Sequence, residues 1–212
     1  MRMLDKCAAN QGDRDNLPES ARDAEKDRCA LGGAKAVQGI QNNPECADAS
    51  LSAEAGETLI TLSCRINGQP VTAEVPPSRR LLTVLREELG LTGTKRSCEL
   101  GRCGACMVLI DGRPVNSCLT MAYQCEGAEI TTIEGLSGGG LHPVQQAFLE
   151  EGGFQCGYCT PGMVISVVAL LSENPKPAPE EVEEALSGNL CRCTGYGGIM
   201  RAVNKAIEKG VG

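Results

Sequence analysis

Residues 97–106 read SCELGRCGAC, and this stretch decides how the chain around it must be built. Cys98, Cys103 and Cys106 stand at x4 and x2 spacing, and Cys118 follows within NSCL, with eleven residues between it and Cys106. Thiolates set this closely can wrap a single inorganic centre. Gly101 and Gly104 fall where the backbone must bend with positive φ and bring N–H groups toward that centre. A second set, Cys156, Cys159, Cys191 and Cys193, has a Cys-x2-Cys half and a Cys-x-Cys half. Eight of the thirteen cysteines therefore fall into two compact quartets.

The first spacing is the one that marks plant-type [2Fe-2S] ferredoxin loops. The second, taken by spacing alone, suits either iron or a structural zinc, since Cys-x2-Cys is common in zinc knuckles. Its Cys-x-Cys half is less usual for zinc, and a redox-silent ion has little use beside an electron-carrying loop, so iron fits better. A disulfide framework is disfavoured by the odd number of cysteines and by Cys191 and Cys193, which are too close to pair without strain. The start MRMLDKCAANQGDRDN lacks the apolar stretch of a secretory signal, so reduced thiols in a cytoplasmic setting are expected. Export together with a signal-bearing partner is compatible with the same residues.

Working outward, TLITLSCRI, Asn67-Gly68 and PVTAEV predict a hairpin, because Asn-Gly accepts the two positive φ values of a type I′ turn. Leu81, Leu82, Leu85 and Leu89 predict a helix entered after Pro76-Pro77 and stopped at Gly90. Beyond the loop, MVLI, Asp111-Gly112 and PVNSC predict a second hairpin, and AEITTI (128–133) a further strand. Two hairpins around one helix suggest a β-grasp domain over 58–136.

After Ser137-Gly138-Gly139-Gly140 the pattern turns helical, predicting an all-α four-helix domain over 137–212. PVQQAFLEE opens with Pro143. In GFQCGYCTPGM, Thr160 is read as an N-cap with Pro161 at N1, leading into the apolar run Met163 to Leu171. APEEVEEALSG and a segment from about Ile199 to Lys209 complete the set. Two of these helices begin beside cysteine pairs, so the pairs can face each other across a bundle. The fold class expected is α+β.

Residues 1–57 carry no aromatic residue and no sustained apolar period, and read as an N-terminal extension, flexible or partner-bound, with a short helix possible over 18–30. Cys7, Cys29 and Cys46 are read there as free thiols. Cys64 and Cys125 are expected to be buried structural thiols.

Composition closes off other classes. The formal charge of −7 argues against nucleic-acid binding, and no run of 18 or more apolar residues could span a bilayer, so an integral membrane protein is not expected. With a single histidine, His142, lacking any visible acid or base partner, no histidine-based catalytic centre can be built. The Glu180–Glu184 cluster reads as a solvated helix face. Lys95 and Arg96 either complement the charge of the first loop or aid solubility.

Over about residues 57–209 the chain resembles the iron–sulfur subunit of the xanthine oxidase family of molybdenum hydroxylases, the group of aldehyde oxidoreductase, xanthine dehydrogenase and carbon monoxide dehydrogenase. GTKRSCELGRCGACMV, NSCL, GFQCGYCTPGM and GNLCRCTGY match it in order and spacing. The resemblance implies two [2Fe-2S] clusters, the distal one on Cys98, Cys103, Cys106 and Cys118 and the proximal one on Cys156, Cys159, Cys191 and Cys193. It implies that Gln155 hydrogen-bonds a molybdopterin, a cytosine dinucleotide form, held by a large partner subunit, and that Cys193 approaches the same cofactor. Gly157 and Gly162 are expected to let the backbone turn closely around the proximal cluster. The implied function is electron transfer from the partner's molybdopterin site through both clusters to flavin, haem or another acceptor, with a flavin- or haem-containing subunit as a further partner. Substrate chemistry on an aldehyde or N-heterocycle would belong to the large subunit, and no residue of this chain would be catalytic. The extension 1–57 is longer than family members commonly show. A stand-alone two-cluster ferredoxin, or a zinc-binding or redox-sensing interaction scaffold, is the alternative reading.

Overall fold

A computed structural model describes residues 58–210, so the expectations for 1–57, including the helix over 18–30 and Cys7, Cys29 and Cys46, lie outside the described residues. The described chain is α+β: a mixed five-stranded sheet followed by four helices.

Strand β1 (Ile60–Ile66) and strand β2 (Gln69–Val75) form the first hairpin, with Ile66 opposite Gln69 and the turn at Asn67 (φ 52) and Gly68 (φ 77). Both φ values are positive, as a type I′ turn demands. Alternation places Leu62, Cys64 and Ile66 inward. Strands β3 (Met107–Ile110) and β4 (Arg113–Asn116) form the second hairpin, and β5 (Glu129–Thr131) is inserted between β1 and β3. It pairs parallel to β1 and antiparallel to β3. The order β2-β1-β5-β3-β4 encloses a core of Leu62, Ile66, Val75, Leu85, Val108 and Ile130.

The leucine-rich helix exists but is not a uniform α-helix. Helix α1 (Leu81–Thr83) passes directly into a π-helical turn (Val84–Glu88), in which the Leu89 N–H donates to the Val84 carbonyl at 3.1 Å. Leu81, Leu82 and Leu85 are buried as expected, whereas Leu89 falls just beyond the helix. The widened turn has a local use, because Arg86 Nη1 donates to the carbonyls of Thr92 and Thr94, each at 2.7 Å, and so pins the entry to the first cysteine loop.

Helices α2 (Pro143–Glu150), α3 (Thr160–Glu173), α4 (Pro179–Leu186) and α5 (Gly197–Glu208) follow. Thr160 is a correction: it is the first residue of α3, and Cys159 holds the cap position. The threonine hydroxyl is buried with no hydrogen-bond partner, so it does not serve the helix end. Helix α3 is buried on nearly all sides, from Met163 through Ala169, because α2, α4 and the sheet all pack on it. Strand β3 is shared between two cores. Val108 points into the sheet core, while its neighbour Leu109 joins Phe148, Val164 and Ile199 in the helical core.

Candidate iron–sulfur centres

The first quartet is held by the sheet. The loop 97–106 runs into β3, with Gly101 at φ 69 and Gly104 at φ 67, the positive values expected of both. Cys118 is brought back because Ser117 donates through Oγ (2.7 Å) and through N–H (3.3 Å) to the Cys106 carbonyl. Cys106 and Cys118 are buried together against Leu82, while Cys98 and Cys103 are only partly covered. The two pairs differ in acidity. The Leu100 N–H, 3.4 Å from Cys98 Sγ, is the main cause that brings the Cys98 thiol down to about 7, whereas burial pushes Cys106 up to about 12. Coordination to a cation would deprotonate such a buried thiol outright.

The second quartet sits at helix ends. Cys156 and Cys193 are exposed and their sulfurs lie 3.6 Å apart; Cys159 and Cys191 lie deeper and also face each other. Two thiolates at about 2.3 Å from one tetrahedral ion stand roughly 3.8 Å apart, so the outer pair is already spaced to share one. Among the described residues no group of three or more His, Cys, Asp or Glu side chains closes on a single point. A binuclear cluster asks for a pair of thiolates on each iron, and the sulfurs here stand in facing pairs. Burial raises Cys159 to about 12. Burial also acts upward on Cys191, yet Thr194 outweighs it through its hydroxyl, 3.1 Å from Cys191 Sγ, and its N–H, and the thiol is lowered. The Thr194 oxygen in turn accepts from the Tyr196 N–H at 3.1 Å. Tyr196 closes the loop: it adopts φ 64, and its hydroxyl accepts from the Cys191 N–H at 2.9 Å and donates to the Asn189 carbonyl at 3.3 Å.

The two loops are tied to each other directly. The Leu190 N–H donates to the Cys103 carbonyl at 3.0 Å, and the Tyr158 hydroxyl, between Cys156 and Cys159, donates to the Arg96 carbonyl. The two quartets are thus bridged by a hydrogen bond from the residue before Cys191 to a residue of the first quartet.

Comparison with known proteins agrees with this arrangement. Residues 64–131 match a family described as 2Fe-2S iron-sulfur cluster binding domain, and residues 132–204 match a [2Fe-2S] binding domain family. A probable xanthine dehydrogenase subunit of Bacillus subtilis is 60% identical over 137 residues, covering 65% of this chain and 79% of that protein. The nicotinate dehydrogenase small FeS subunit of Eubacterium barkeri is 48% identical over 151 residues, covering 71% of this chain and 96% of its own length. This chain belongs to the iron–sulfur subunits of the molybdenum hydroxylases. Among solved structures, quinoline 2-oxidoreductase from Pseudomonas putida 86 superposes with a TM-score of 0.68 at 48% identity, covering 72% of this chain and 96% of that one.

As a molybdenum hydroxylase iron–sulfur subunit, the chain is an electron-transfer component of a multi-subunit oxidoreductase. Gln155 is exposed beside Cys156, at the same edge as Cys193. Gly157 turns with φ 78, but Gly162 does something else: a Cβ there would lie 2.1 Å from the Gly104 carbonyl oxygen, so its job is close approach between α3 and the first loop. Lys95 and Arg96 serve the local fold, Lys95 donating to the Thr92 carbonyl and Arg96 bridging Glu87 and Glu99. His142 caps α2, its Nδ1 accepting from the Val144 N–H at 3.2 Å. Cys64 and Cys125 are buried as expected, and burial raises both thiols, Cys125 to about 11. Sequence reasoning missed Tyr158, Asn189, Thr194 and Tyr196. Their signal was adjacency to the quartets, but which atom each would reach depends on tertiary contacts. Among the described residues no helix is long and apolar enough to cross a membrane.

Proposed function

We propose that Cys98, Cys103, Cys106 and Cys118 hold one [2Fe-2S] cluster and Cys156, Cys159, Cys191 and Cys193 the other, in units spanning 58–136 and 137–212. The donor set supports it: each quartet offers thiolates in facing pairs, with main-chain or hydroxyl donors aimed at Cys98 and Cys191. When bound, the clusters supply one-electron storage. The protein's own part is to hold them at fixed separation, keep water from Cys106 and Cys118, and connect the two sites by the Leu190 N–H to Cys103 carbonyl bond. That bond is the observation that carries the reading, since a pair of unrelated structural metal sites has no need of it.

The exposed edge of Gln155, Cys156 and Cys193 faces a large molybdopterin-binding subunit in this proposal, with Gln155 donating to the cofactor, a cytosine dinucleotide form, and Cys193 approaching it. The opposite quartet serves a flavin- or haem-containing subunit, and the assembly works in the cytoplasm. An aldehyde or an N-heterocycle is the substrate class in this proposal, in keeping with relatives named for nicotinate and quinoline and others named as aldehyde oxidoreductases. Iron and sulfide analysis with EPR of the dithionite-reduced protein tests the core claim: two distinct [2Fe-2S] signals are expected, and a colourless zinc protein would overturn it. Gln155→Ala should retain both clusters and weaken turnover in the complex. Unchanged turnover would remove Gln155 from the cofactor contact.

A further inference from the structure

Asn189 is a polar side chain at 2% exposure, two residues before Cys191, and its amide reaches two other parts of the molecule. Its Oδ1 accepts from Ser166 Oγ, in the middle of α3, at 2.9 Å. Its Nδ2 faces the Gly104 carbonyl at a longer 3.5 Å. Only the NH2 end of the amide can face a carbonyl while the oxygen faces the hydroxyl, so the contacts fix which way the group points. The packing here has no slack. A Cβ on Gly104 would lie 2.5 Å from Asn189 Nδ2 and 2.6 Å from the Gly188 carbonyl oxygen, and one on Gly162 would meet the Gly104 carbonyl oxygen. Asn189 therefore touches the first cysteine loop, the second cysteine loop and the helix on which both rest.

We infer that Asn189 is the positioning residue that sets the separation and angle between the two cysteine quartets. Glycine contacts alone would let the two loops slide, because they have no side-chain relief to interlock. A buried amide with one partner for its acceptor and one for its donor permits a single arrangement, since any slide leaves a polar group unpaired away from water. The arrangement it selects is the one in which Leu190 N–H meets the Cys103 carbonyl. The inference rests on the cluster-ligand assignment above.

The test uses the assembled, cluster-loaded complex with Asn189→Asp, which turns a carboxylate oxygen toward the Gly104 carbonyl, and Ser166→Ala, which removes the donor that orients the amide. Low-temperature EPR of the fully reduced protein reads the magnetic interaction between the two clusters, and rapid-mixing absorbance reads electron equilibration between them. With iron and sulfide content and both midpoint potentials retained, Asn189→Asp should lose most of the interaction splitting and slow equilibration several-fold. Ser166→Ala should shift both in the same direction by less. Unchanged splitting and rate in the two variants, or changes that merely track lost iron, would overturn the inference. Should Asn189→Asp fail to fold, Ser166→Ala decides alone. A wild-type protein lacking one cluster would strike the ligand assignment instead, and the iron count separates that failure from this one.

Discussion

The first cysteine loop lies inside a sheet, with Cys106 and Cys118 buried and a main-chain N–H aimed at Cys98; the second spans helix ends, with Cys156 and Cys193 exposed and a side-chain hydroxyl on Cys191. Four thiolates are thus set in a site of which one pair is buried and the other partly covered, and four more in a site left open on one side. A covered site insulates its contents from solvent, while an open one offers an edge to another subunit. That contrast can be attacked at several points.

The largest effect should come from the ligands. Cys106→Ser should remove roughly half the iron and also destabilise the sheet, because a polar hydroxyl replaces a buried thiol. Cys193→Ser should remove a similar share of iron with little change in melting temperature, since its position is exposed. Equal thermal losses in the two variants would erase the distinction between a covered and an open site. Iron analysis and circular dichroism melts measure both.

Next is the joint between the regions. Leu109→Ala cuts a side chain that stands in a strand but packs in the helical core, and should cost about 2–5 kcal/mol. Because β3 belongs to both cores, urea unfolding should remain one transition shifted as a whole. Separate transitions for sheet and helices would show that the regions are independent.

A smaller effect concerns potential. Thr194→Val removes the hydroxyl on Cys191 and should move the second site's midpoint potential negative, on the order of tens of millivolts, leaving the first site unmoved. Redox titration followed by EPR distinguishes the sites. At Cys98 the main donor is the Leu100 main chain rather than a side chain.

The smallest effect is at the surface clamp between α2 and α5. Lys209 first, then Gln146 and Lys205, hold Glu150 down to about 2 from an ordinary 4.5. A depressed carboxylate stabilises the fold above its ordinary value and loses that contribution as pH falls toward 2. Glu150 is exposed, so the effect is small. Glu150→Gln should flatten the fall in melting temperature between about pH 4.5 and 2, and an identical pH profile would dismiss the clamp.

Much of this contrast is legible in the order of residues. The hairpin at Asn67-Gly68, the positive φ of Gly101 and Gly104, the turn at Asp111-Gly112 and all four helices follow from local chemistry, so residue order alone announces them. The π turn at Val84–Glu88 is not legible, because an apolar period does not distinguish it from an α-helix, and Arg86 on that turn reaches carbonyls that no local pattern announces. Thr160 misleads for a related reason: a Thr-Pro pair satisfies the capping rule, but burial against neighbouring elements carries the helix one residue earlier. The cysteines are visible as quartets, while the ties between quartets, through Leu190, Tyr158 and Asn189, join residues far apart in sequence and belong to no local pattern.

The placing of β5 beside β1 has a consequence for the order in which the protein is made. The strand that completes the middle of the sheet is its last, Glu129–Thr131, so the frame around Cys98 to Cys118 cannot close while those residues remain inside the ribosome. The loop from Cys98 to Cys118 is therefore synthesised before the strand that completes the sheet around it.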